Sequence, residues 1–392
     1  MIVDLPTTTD VPEGASSGPL AGLRVVELAG IGPGPYACLL LAELGADVVR
    51  VDRIAGGGAA AEQSETLNRS RPAIAVDLKN PQGRETLLRL VDGADILVEG
   101  WRPGVAERLG IGPQECLERN PRLVYGRMTG WGQSGPLAHT AGHDINYAAI
   151  TGALHISGSA DKPRQAANLV ADFGGGAMFL VTGVLAAIHE RQTSGRGQVV
   201  DAAMVDGAAS LMTMMYGMHA TGQWKDRREA NLLDGGAPFY DTYECADGKH
   251  VAVGAIEPQF YAALVAGLGV SPEGDQLDEQ RWPAHRALFA ETFASRTRDE
   301  WAAVFEGTDA CVAPVLSLEE APRHPHMQAR GVFEPVGAGA APRVAPRFSR
   351  TPGRGPGIVR RAGDDTAHVL SSAGFSDDEI TALASAGAVR QA

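Results

Sequence analysis

The 392-residue chain carries 47 acidic and 34 basic side chains, so its formal net charge at pH 7 is −13. A charge of this sign argues against nucleic acid as a partner. Hydrophobic residues make up 44% of the chain, and the length allows two or three domains or one large and one small domain. The four cysteines show no metal-ligand spacing, which favours reduced thiols in a cytoplasmic protein without a metal site.

Residues 1–18 are rich in Thr, Pro, Gly and acidic residues. They lack the positive start and the apolar run of a secretory signal, so we interpret them as a mobile tail. Further along the chain, no apolar run is expected to reach membrane-spanning length. The sequence therefore predicts no membrane partner.

Strands and helices alternate in the first third of the chain. A strand at 23–28, a helix at 36–44 closed by Gly45 and a strand at 47–52 make one βαβ unit. Next come a helix at 83–91 and strands at 95–99 and 123–127. This alternation predicts a doubly wound α/β fold with a parallel sheet.

A glycine-rich turn follows the first strand and invites comparison with a dinucleotide-binding loop. Gly30, Gly32 and Gly34 are followed by Asp52, near the place of a ribose-binding acid. The spacing is G-x-G-x-G, however, and Pro35 stands where the third glycine belongs. We therefore disfavour a dinucleotide cofactor.

The second half of the chain predicts a smaller α+β domain. Long helices are expected at 172–191 and 206–219, with a strand at 199–203 between them. The hairpin 240–244 and 250–253 precedes helices at 258–268, 283–294 and 299–305 and a strand at 312–316. A last helix at 376–386 begins with a Ser376/Glu379 capping box. The predicted division is a large domain at 19–202 completed by 345–392, a helical linker at 203–236, a small domain at 237–333 and a return linker at 334–344.

Two short motifs carry acid–base chemistry. Gly142-His143 supplies an imidazole, and Asp172 supplies a carboxylate just before Gly174-Gly175-Gly176. In its ordinary structural role, Asp172 would cap the helix that begins there. In a functional role, the N–H groups at this helix start would also hold a developing enolate oxygen, and the glycines would let a bulky ligand reach the backbone. The Asp-Phe-Gly triplet is not a kinase motif, because the other kinase motifs are missing from the sequence.

Other candidates have equally ordinary alternatives. His143 and Glu257, taken singly, are most simply a structural histidine and an acid near a helix cap. Four methionines, Met212, Met214, Met215 and Met218, are most simply core residues, or else a pliable wall for an acyl chain. Scattered surface charge or a phosphate pocket would explain the basic set Arg50, Arg53, Arg69, Arg71, Lys79, Arg102 and Arg108.

Several longer motifs resemble the family III CoA-transferase superfamily, and in particular its acyl-CoA racemases. The resemblance rests on 20–28, 44–52, Arg102-Pro103-Gly104, Arg108-Leu109-Gly110, 128–133, 142–147, 172–176 and 253–261. It implies an interlocked homodimer whose subunits each have a Rossmann-like large domain and a smaller α+β domain. It also implies an active site between the large domain of one chain and the small domain of the other.

The resemblance also implies site residues. The catalytic set is His143, Asp172 and Glu257, with Glu257 as the partner of the histidine. The implied CoA contacts are Arg53, Val76, Asp77, Leu78, Lys79, Gly100, Trp101, Arg102, Arg108, Gly142, Asp144, Ile145, Asn146 and Tyr147. The match is weak at 56–65, which is rich in Ala and Gly in this chain.

The activity implied is interconversion of (2R)- and (2S)-2-methylacyl-CoA thioesters by 1,1-proton transfer through an enolate. His143 and Asp172 would act as two bases, with CoA as part of the substrate and no separate cofactor. One alternative is a CoA transferase in which Asp172 is the nucleophile. Another is a non-catalytic protein that binds CoA esters.

Overall fold

The computed structural model describes residues 18–54, 65–336 and 339–392. The predicted tail at 1–17 and residues 55–64, which hold most of the weakly matching loop, lie outside these ranges. The chain divides into two compact units. Unit 1 comprises residues up to 151 together with 166–211 and 328–392, and unit 2 comprises 152–165 and 212–327. This division differs from the predicted one, because 152–165 and 212–236 group with the smaller unit.

The strands, in chain order, are β1 (Arg24–Leu28), β2 (Asp47–Asp52), β3 (Ala73–Val76), β4 (Ile96–Glu99), β5 (Val124–Thr129), β6 (Val199–Ala203), β7 (Tyr240–Glu244), β8 (His250–Gly254), β9 (Val312–Pro314), β10 (Phe333–Val336), β11 (Gly339–Pro342) and β12 (Val389–Arg390).

The helices, in chain order, are α1 (Pro33–Glu43), α2 (Pro81–Asp92), α3 (Val105–Arg108), α4 (Pro113–Arg119), α5 (Asp144–Ile150), α6 (Met178–Ser194), α7 (Met204–Leu211), α8 (Thr213–Ala220), α9 (Pro258–Leu268), α10 (Trp282–Phe293), α11 (Arg298–Phe305), α12 (Pro325–Ala329), α13 (Thr366–Ser372) and α14 (Asp377–Ser385). A π-helical segment, Leu169–Ala177, leads directly into α6.

Unit 1 is built on a seven-stranded sheet with the order β12-β3-β2-β1-β4-β5-β6. Six strands are parallel, and only the edge strand β12 runs antiparallel, against β3. The predicted parallel α/β sheet is confirmed. Strands β3 and β12 were not predicted, because four and two residues are too few to show a strand pattern.

Strand β1 pairs with β2 on one side and with β4 on the other. The chain order therefore reverses at β1, and the loops after β1 and β4 leave the sheet in opposite directions. In open α/β sheets, ligands bind at the carboxyl ends of the strands at such a reversal. The topology of unit 1 thus indicates where a site should lie.

Unit 2 contains the antiparallel sheet β7-β8-β9. Its core is a cluster of aromatic and aliphatic side chains from β7, β8 and α9–α11, including the fully buried Phe239, Phe289 and Phe293. The predicted hairpin and the three helices after it are present within one or two residues at each end. The predicted helix at 206–219 is two helices, α7 and α8, separated at Met212.

The helical stretch Leu169–Ser194 is long and apolar enough to cross a membrane by length and composition alone. No such run was expected from the sequence, and that expectation is wrong. Within unit 1, α6 packs on β5 and β6, and it buries Leu180, Val184 and Ile188. A core helix of a water-soluble domain has this pattern as well.

Candidate active site

A cleft of about 330 Å³ opens at the carboxyl ends of β1, β4 and β5, where the strand order reverses. It is lined by Ile31, Gly32, Pro33, Gly100, Trp101, Arg102, Pro103, Met128, Thr129, Gly130, Trp131, Ala138, Thr140, Ala141, Gly142, His143, Tyr147, Asp172 and Met204. Both proton-transfer candidates of unit 1, His143 and Asp172, line this one cleft.

His143 is the residue immediately before helix α5. Its backbone is extended, with φ −136° and ψ 173°, and its N–H donates to Oδ1 of Asn146 at 3.1 Å. Its carbonyl accepts from the N–H of Asn146 at 2.8 Å, which closes the first turn. The helix start therefore fixes the backbone of His143, while the residue itself stays exposed at the cleft.

Asp172 lies in the π-helical segment, three residues after its start. Burial raises the pKa of its carboxyl, and the neighbouring Asp144 raises it further. A hydrogen bond from Nδ2 of Asn168 (3.4 Å to Oδ2) and the nearby His143 lower the pKa, but they do not offset the burial. A carboxylate with a raised pKa is a better proton acceptor, as a catalytic base requires.

The turn after β1 faces the same carboxylate. Gly32 has φ +66°, and a Cβ at that position would lie 3.5 Å from Oδ2 of Asp172. The glycine-rich turn therefore forms part of the cleft wall. Asp52, the proposed ribose acceptor, is held by Nε of Arg50 at 2.9 Å.

Asp172 lies in the first turn of its helix, near the N-terminus as predicted, but it is not the N-cap and the helix does not begin at it. The helix begins at Leu169, and the N–H groups of Ala171 and Asp172 donate to Oδ1 of Asp144 at 2.7 and 2.8 Å. These two donors are already bonded within the protein. They are therefore not available to hold an enolate oxygen.

Glycines 174–176 also act differently from the prediction. A Cβ on Gly175 would lie 2.5 Å from the backbone N of Ala208, and one on Gly207 would lie 1.8 Å from the carbonyl O of Gly175. A Cβ on Gly176 would lie 2.9 Å from the side chain of Met204. The glycines allow helix α7 to pack backbone to backbone on the π-helical segment, so the space is filled by protein and not by ligand.

One wall of the cleft is aromatic. Trp131 and Tyr147 pack edge to face, with ring centroids 4.7 Å apart. A Cβ on Gly130 would lie 2.2 Å from the Tyr147 hydroxyl, and one on Gly142 would lie 2.7 Å from its ring, so both positions require glycine. Burial, with a contribution from the Asp172 charge, raises the pKa of Tyr147 to about 12. Tyr147 therefore stays protonated at neutral pH.

Five of the implied CoA contacts line the cleft: Gly100, Trp101, Arg102, Gly142 and Tyr147. Glu99 fixes the loop after β4 that holds Gly100, Trp101 and Arg102. Its buried carboxylate accepts from the N–H of Trp101 at 2.7 Å and from Nε of Arg127 at 2.8 Å.

The remaining implied contacts lie elsewhere in unit 1. The exposed ones are Arg53, Lys79, Arg108, Ile145 and Asn146, whereas Asp77 and Leu78 are half-buried. Val76 and Asp144 are buried, at 1% and 4% exposure, and Val76 belongs to the core cluster.

Three arginines of the candidate phosphate pocket are internal. Arg50, Arg69 and Arg71 are at most 5% exposed and pair with Asp52, Glu43 and Glu27 respectively. A buried arginine that already has a carboxylate partner cannot also recruit a phosphate. Of the predicted basic set, Arg102 lines the cleft.

Glu257 belongs to unit 2, where it precedes helix α9 and is exposed. Its carbonyl accepts from the N–H groups of Phe260 and Tyr261 at 3.0 and 2.9 Å. The backbone of Glu257 thus begins the helix, and its carboxylate faces solvent. Met212 is buried, as predicted for a core residue. Helix α8 buries none of its residues, so Met214, Met215 and Met218 are not the core residues that were predicted.

Among the described residues, no group of three or more His, Cys, Asp or Glu side chains is placed to hold a metal ion. Two neighbours of the Asp172 carboxylate were not predicted from the sequence: Asn168, which donates to it, and Gly32, which lies beside it. Asn168 lies four residues before Asp172, one helical turn away, and this spacing was the available signal. Gly32 comes from a different strand end, so nothing local in the sequence could reveal it.

Comparisons with known proteins identify the family and the fold of the chain. The family model for CoA-transferase family III matches residues 20–362. The chain is 46% identical over 373 residues to alpha-methylacyl-CoA racemase of Mus musculus, and 44% identical to that of Homo sapiens, covering 93% of this chain and 96% of each relative. A crystal structure of a CaiB/BaiF family protein from Brucella suis superposes with a TM-score of 0.79 at 25% identity, covering 91% of this chain and all of the other.

Proposed function

Because the chain belongs to CoA-transferase family III, and because its curated relatives include racemases, we propose that it interconverts the two C2 epimers of 2-methylacyl-CoA thioesters. The observation that carries the proposal is that His143 and Asp172 line one cleft and interact electrostatically there. Two proton-transfer groups at one site suit removal of a proton from one face of a carbon and its return to the other.

The thioester makes the proton at C2 acidic enough to be removed as an enolate. In one direction, Asp172 takes the proton and the imidazolium of His143 returns one to the opposite face. In the other direction the two roles exchange. Each transfer by a positioned side chain contributes about 10²–10⁴-fold to the rate. No hydride or electron moves, so the reaction balances without a redox cofactor.

The cleft suits the CoA ester for two reasons. Its lining includes the exposed Arg102, a cation that matches phosphate oxygens, and the apolar side chains of Met128, Met204 and Trp131. We assign the cation to the CoA moiety and the apolar surface to the carbon chain.

Glu257 completes the proposed catalytic set. We assign it the role that the family resemblance implies, which is to hold the imidazole of His143. A carboxylate on the far nitrogen of an imidazole fixes the tautomer that accepts a proton and stabilises the cation that forms.

We also propose that the active protein is a homodimer. Unit 1 exposes the large apolar side chains Ile31, Leu169, Met178, Phe179 and Leu211, which belong to the cleft or to the helices around it. Exposed apolar residues concentrated in one region mark an interaction surface. A second copy of the chain is the occupant that the resemblance implies.

The test is deuterium incorporation at C2 from D2O, starting separately from (2R)- and (2S)-2-methylacyl-CoA. We expect exchange and epimerisation with both substrates, and no epimerisation by His143→Ala. Wild-type protein that neither exchanges nor epimerises either substrate would rule the proposal out.

A CoA transferase remains the second candidate, favoured by the name of the family model. In that reaction the Asp172 carboxylate attacks the thioester carbonyl, releases CoA thiolate and forms a mixed anhydride. Hydroxylamine added during turnover would convert such an anhydride into a hydroxamate on Asp172, detectable by peptide mass. Labelling of Asp172 together with acyl transfer to an added carboxylate would favour the transferase.

A further inference from the structure

A second buried carboxylate lies beside the two proposed bases. Asp144 follows His143 directly and begins helix α5, and it is only 4% exposed. Its Oδ1 accepts from the N–H groups of Ala171 and Asp172, at 2.7 and 2.8 Å. One side chain therefore joins the segment that carries the imidazole to the segment that carries the catalytic carboxyl.

We propose that Asp144 is a positioning residue, whose carboxylate fixes the π-helical segment against helix α5 and so sets the separation between His143 and Asp172. The inference rests on the proposed racemase function and adds to it a residue whose side chain acts through Asp172. It also gives Asp144 a role other than the CoA contact implied by the resemblance.

The bonding pattern of the segment explains why such an anchor is needed. The first backbone N–H groups of a helix have no partner within it, and i→i+5 bonding leaves one more donor unbonded than an α-helix does. The carboxylate of Asp144 satisfies two of these donors with charge-assisted bonds. Without it, the segment that holds Asp172 would lose its fixed connection to α5.

Asp144 also acts on Asp172 through its charge. Burial is the main cause of the raised pKa of Asp172, Asn168 and His143 lower this pKa, and the Asp144 carboxylate raises it. Helix α5 and the residue before it present His143, Asp144 and Tyr147 to this carboxyl, and the turn before α1 places Gly32 beside it. Helices α1, α6 and α7 also pack on the π-helical segment. The charged groups that shift the pKa of Asp172 are Asp144 and His143, and Asp206 of α7 is exposed.

Two variants separate the mechanical role from the electrostatic one. In Asp144→Asn, the amide oxygen can keep both N–H bonds, and Nδ2 takes the place of Oδ2, which is buried without a partner among the described residues. In Asp144→Ala both bonds are lost. Asp378→Asn, at an exposed position in α14, is the matched control.

The first readout does not depend on catalysis. Amide hydrogen exchange, measured by mass spectrometry on peptides covering 168–177, should be at least about tenfold faster in Asp144→Ala. It should stay close to wild type in Asp144→Asn and Asp378→Asn. Unchanged exchange in Asp144→Ala would overturn the anchoring role, even if the protein proved to be no racemase.

The second readout is the rate of epimerisation. A misplacement of about 1 Å can cost about 10²-fold, so we expect Asp144→Ala to lose on the order of 10²-fold in kcat with little change in KM. If Asp144→Ala does not fold, Asp144→Ser, whose hydroxyl can accept one of the bonds, should show a smaller loss. Wild-type kcat in a folded Ala or Ser variant would contradict the proposal.

The third readout is the pH profile of Asp144→Asn, in the direction where Asp172 takes the proton. Removing a negative neighbour lowers the pKa of Asp172, so the acidic limb of kcat/KM should move to lower pH. A purely structural residue would leave this limb in place. An unmoved or oppositely moved limb would refute the electrostatic part, whereas a wild-type enzyme without C2 exchange would refute only the proposed function.

Discussion

At the scale of single residues, the site is controlled by what surrounds each carboxylate. Asp172, Asp144 and Glu99 all contribute to the cleft region, but only Asp172 lines the cavity. Glu99 accepts from the N–H of Trp101 and from Nε of Arg127, and Oδ1 of Asp144 accepts from two backbone N–H groups of the π-helical segment. The same functional group is therefore a reactant in one place and a structural bond in two others.

Asp172→Asn should strongly reduce activity without destabilising the fold. The pKa of Asp172 is raised in the folded protein, so this carboxyl favours folding below its unfolded-state pKa, and that contribution is lost as the pH rises through the folded-state pKa. At pH 7 the ionised, partly buried carboxylate opposes folding. We expect Asp172→Asn to lose about 10²–10⁴-fold in epimerisation rate and to melt no lower than wild type at pH 7.

Thermal unfolding of wild type and Asp172→Asn at pH 4 and pH 7 checks the second part of this prediction. The difference in Tm should favour the Asn variant more at pH 7 than at pH 4. A variant that melts well below wild type at pH 7 would show that the carboxylate stabilises the fold.

The buried pair Arg71–Glu27 provides a prediction about stability. The two side chains are at most 1% exposed, and Nε of Arg71 lies 2.7 Å from Oε2 of Glu27. Removing one partner leaves a buried charge unpaired, so Arg71→Met should cost about 3–5 kcal/mol of unfolding free energy in urea. Glu27→Leu/Arg71→Met, which removes both charges, should cost less than Arg71→Met alone. A double variant less stable than the single one would contradict this account.

At the scale of elements, the close packing of α7 on the π-helical segment depends on glycine. Gly175→Ala places a Cβ 2.5 Å from the backbone N of Ala208, a contact that only a helix shift can relieve. We expect a loss of about 1–3 kcal/mol, measured by urea unfolding, as for overpacked cores. Gly217→Ala is the matched control in helix α8, where the added Cβ meets nothing within 4 Å.

The control should be neutral or stabilise the protein by about 0.5–1 kcal/mol, because Ala is favoured over Gly in a helix. Equal stability of Gly175→Ala and Gly217→Ala would mean that the helices separate without cost. Close helix packing would then no longer account for the glycine run.

Periodicity in the sequence predicted many of the elements. Strands β2 and β6 and helix α9 match their predicted bounds, and the Ser376/Glu379 capping box is present. The elements that were missed or misplaced depend on tertiary contacts. Strand β3 forms because Ala73–Val76 lies between β2 and β12. The helix that holds Asp172 begins before Asp172 and not at it, and Asp144 from another segment accepts from its first turn.

At the scale of the whole molecule, the proposed dimer makes a prediction about shared sites. Suppose that His143 and Glu257 of one site come from different chains. A homodimer of His143→Ala or of Glu257→Ala should then be inactive, because each of its sites lacks one of the two residues. In mixed dimers of His143→Ala and Glu257→Ala, one of the two sites would carry both residues intact. Co-expression should then restore up to about half of the wild-type activity per mixed dimer.

The measurement is epimerisation by tandem-tagged, purified mixed dimers, with each variant homodimer as the control and light scattering to give the mass. Inactive mixed dimers, formed from variants that are inactive alone, would indicate that both residues come from the same chain. A monomeric, active wild-type protein would rule out the dimer proposal.

Short stretches of sequence were enough to predict the parallel α/β sheet, because apolar periodicity and turn residues determine strands, helices and turns within a few positions. The motifs also identified His143 and Asp172 as the proton-transfer candidates. Their meeting in one cleft, with Gly32 and Trp101 from two other strand ends, follows from the strand order and could not be derived from spacing. The same holds for Arg71 and Gly175. The buried partner of Arg71 and the backbone that packs on Gly175 both come from distant parts of the chain, so local sequence could not predict either. The sequence determines which chemical group each residue carries. Contacts between distant segments determine which groups surround that residue in the folded protein.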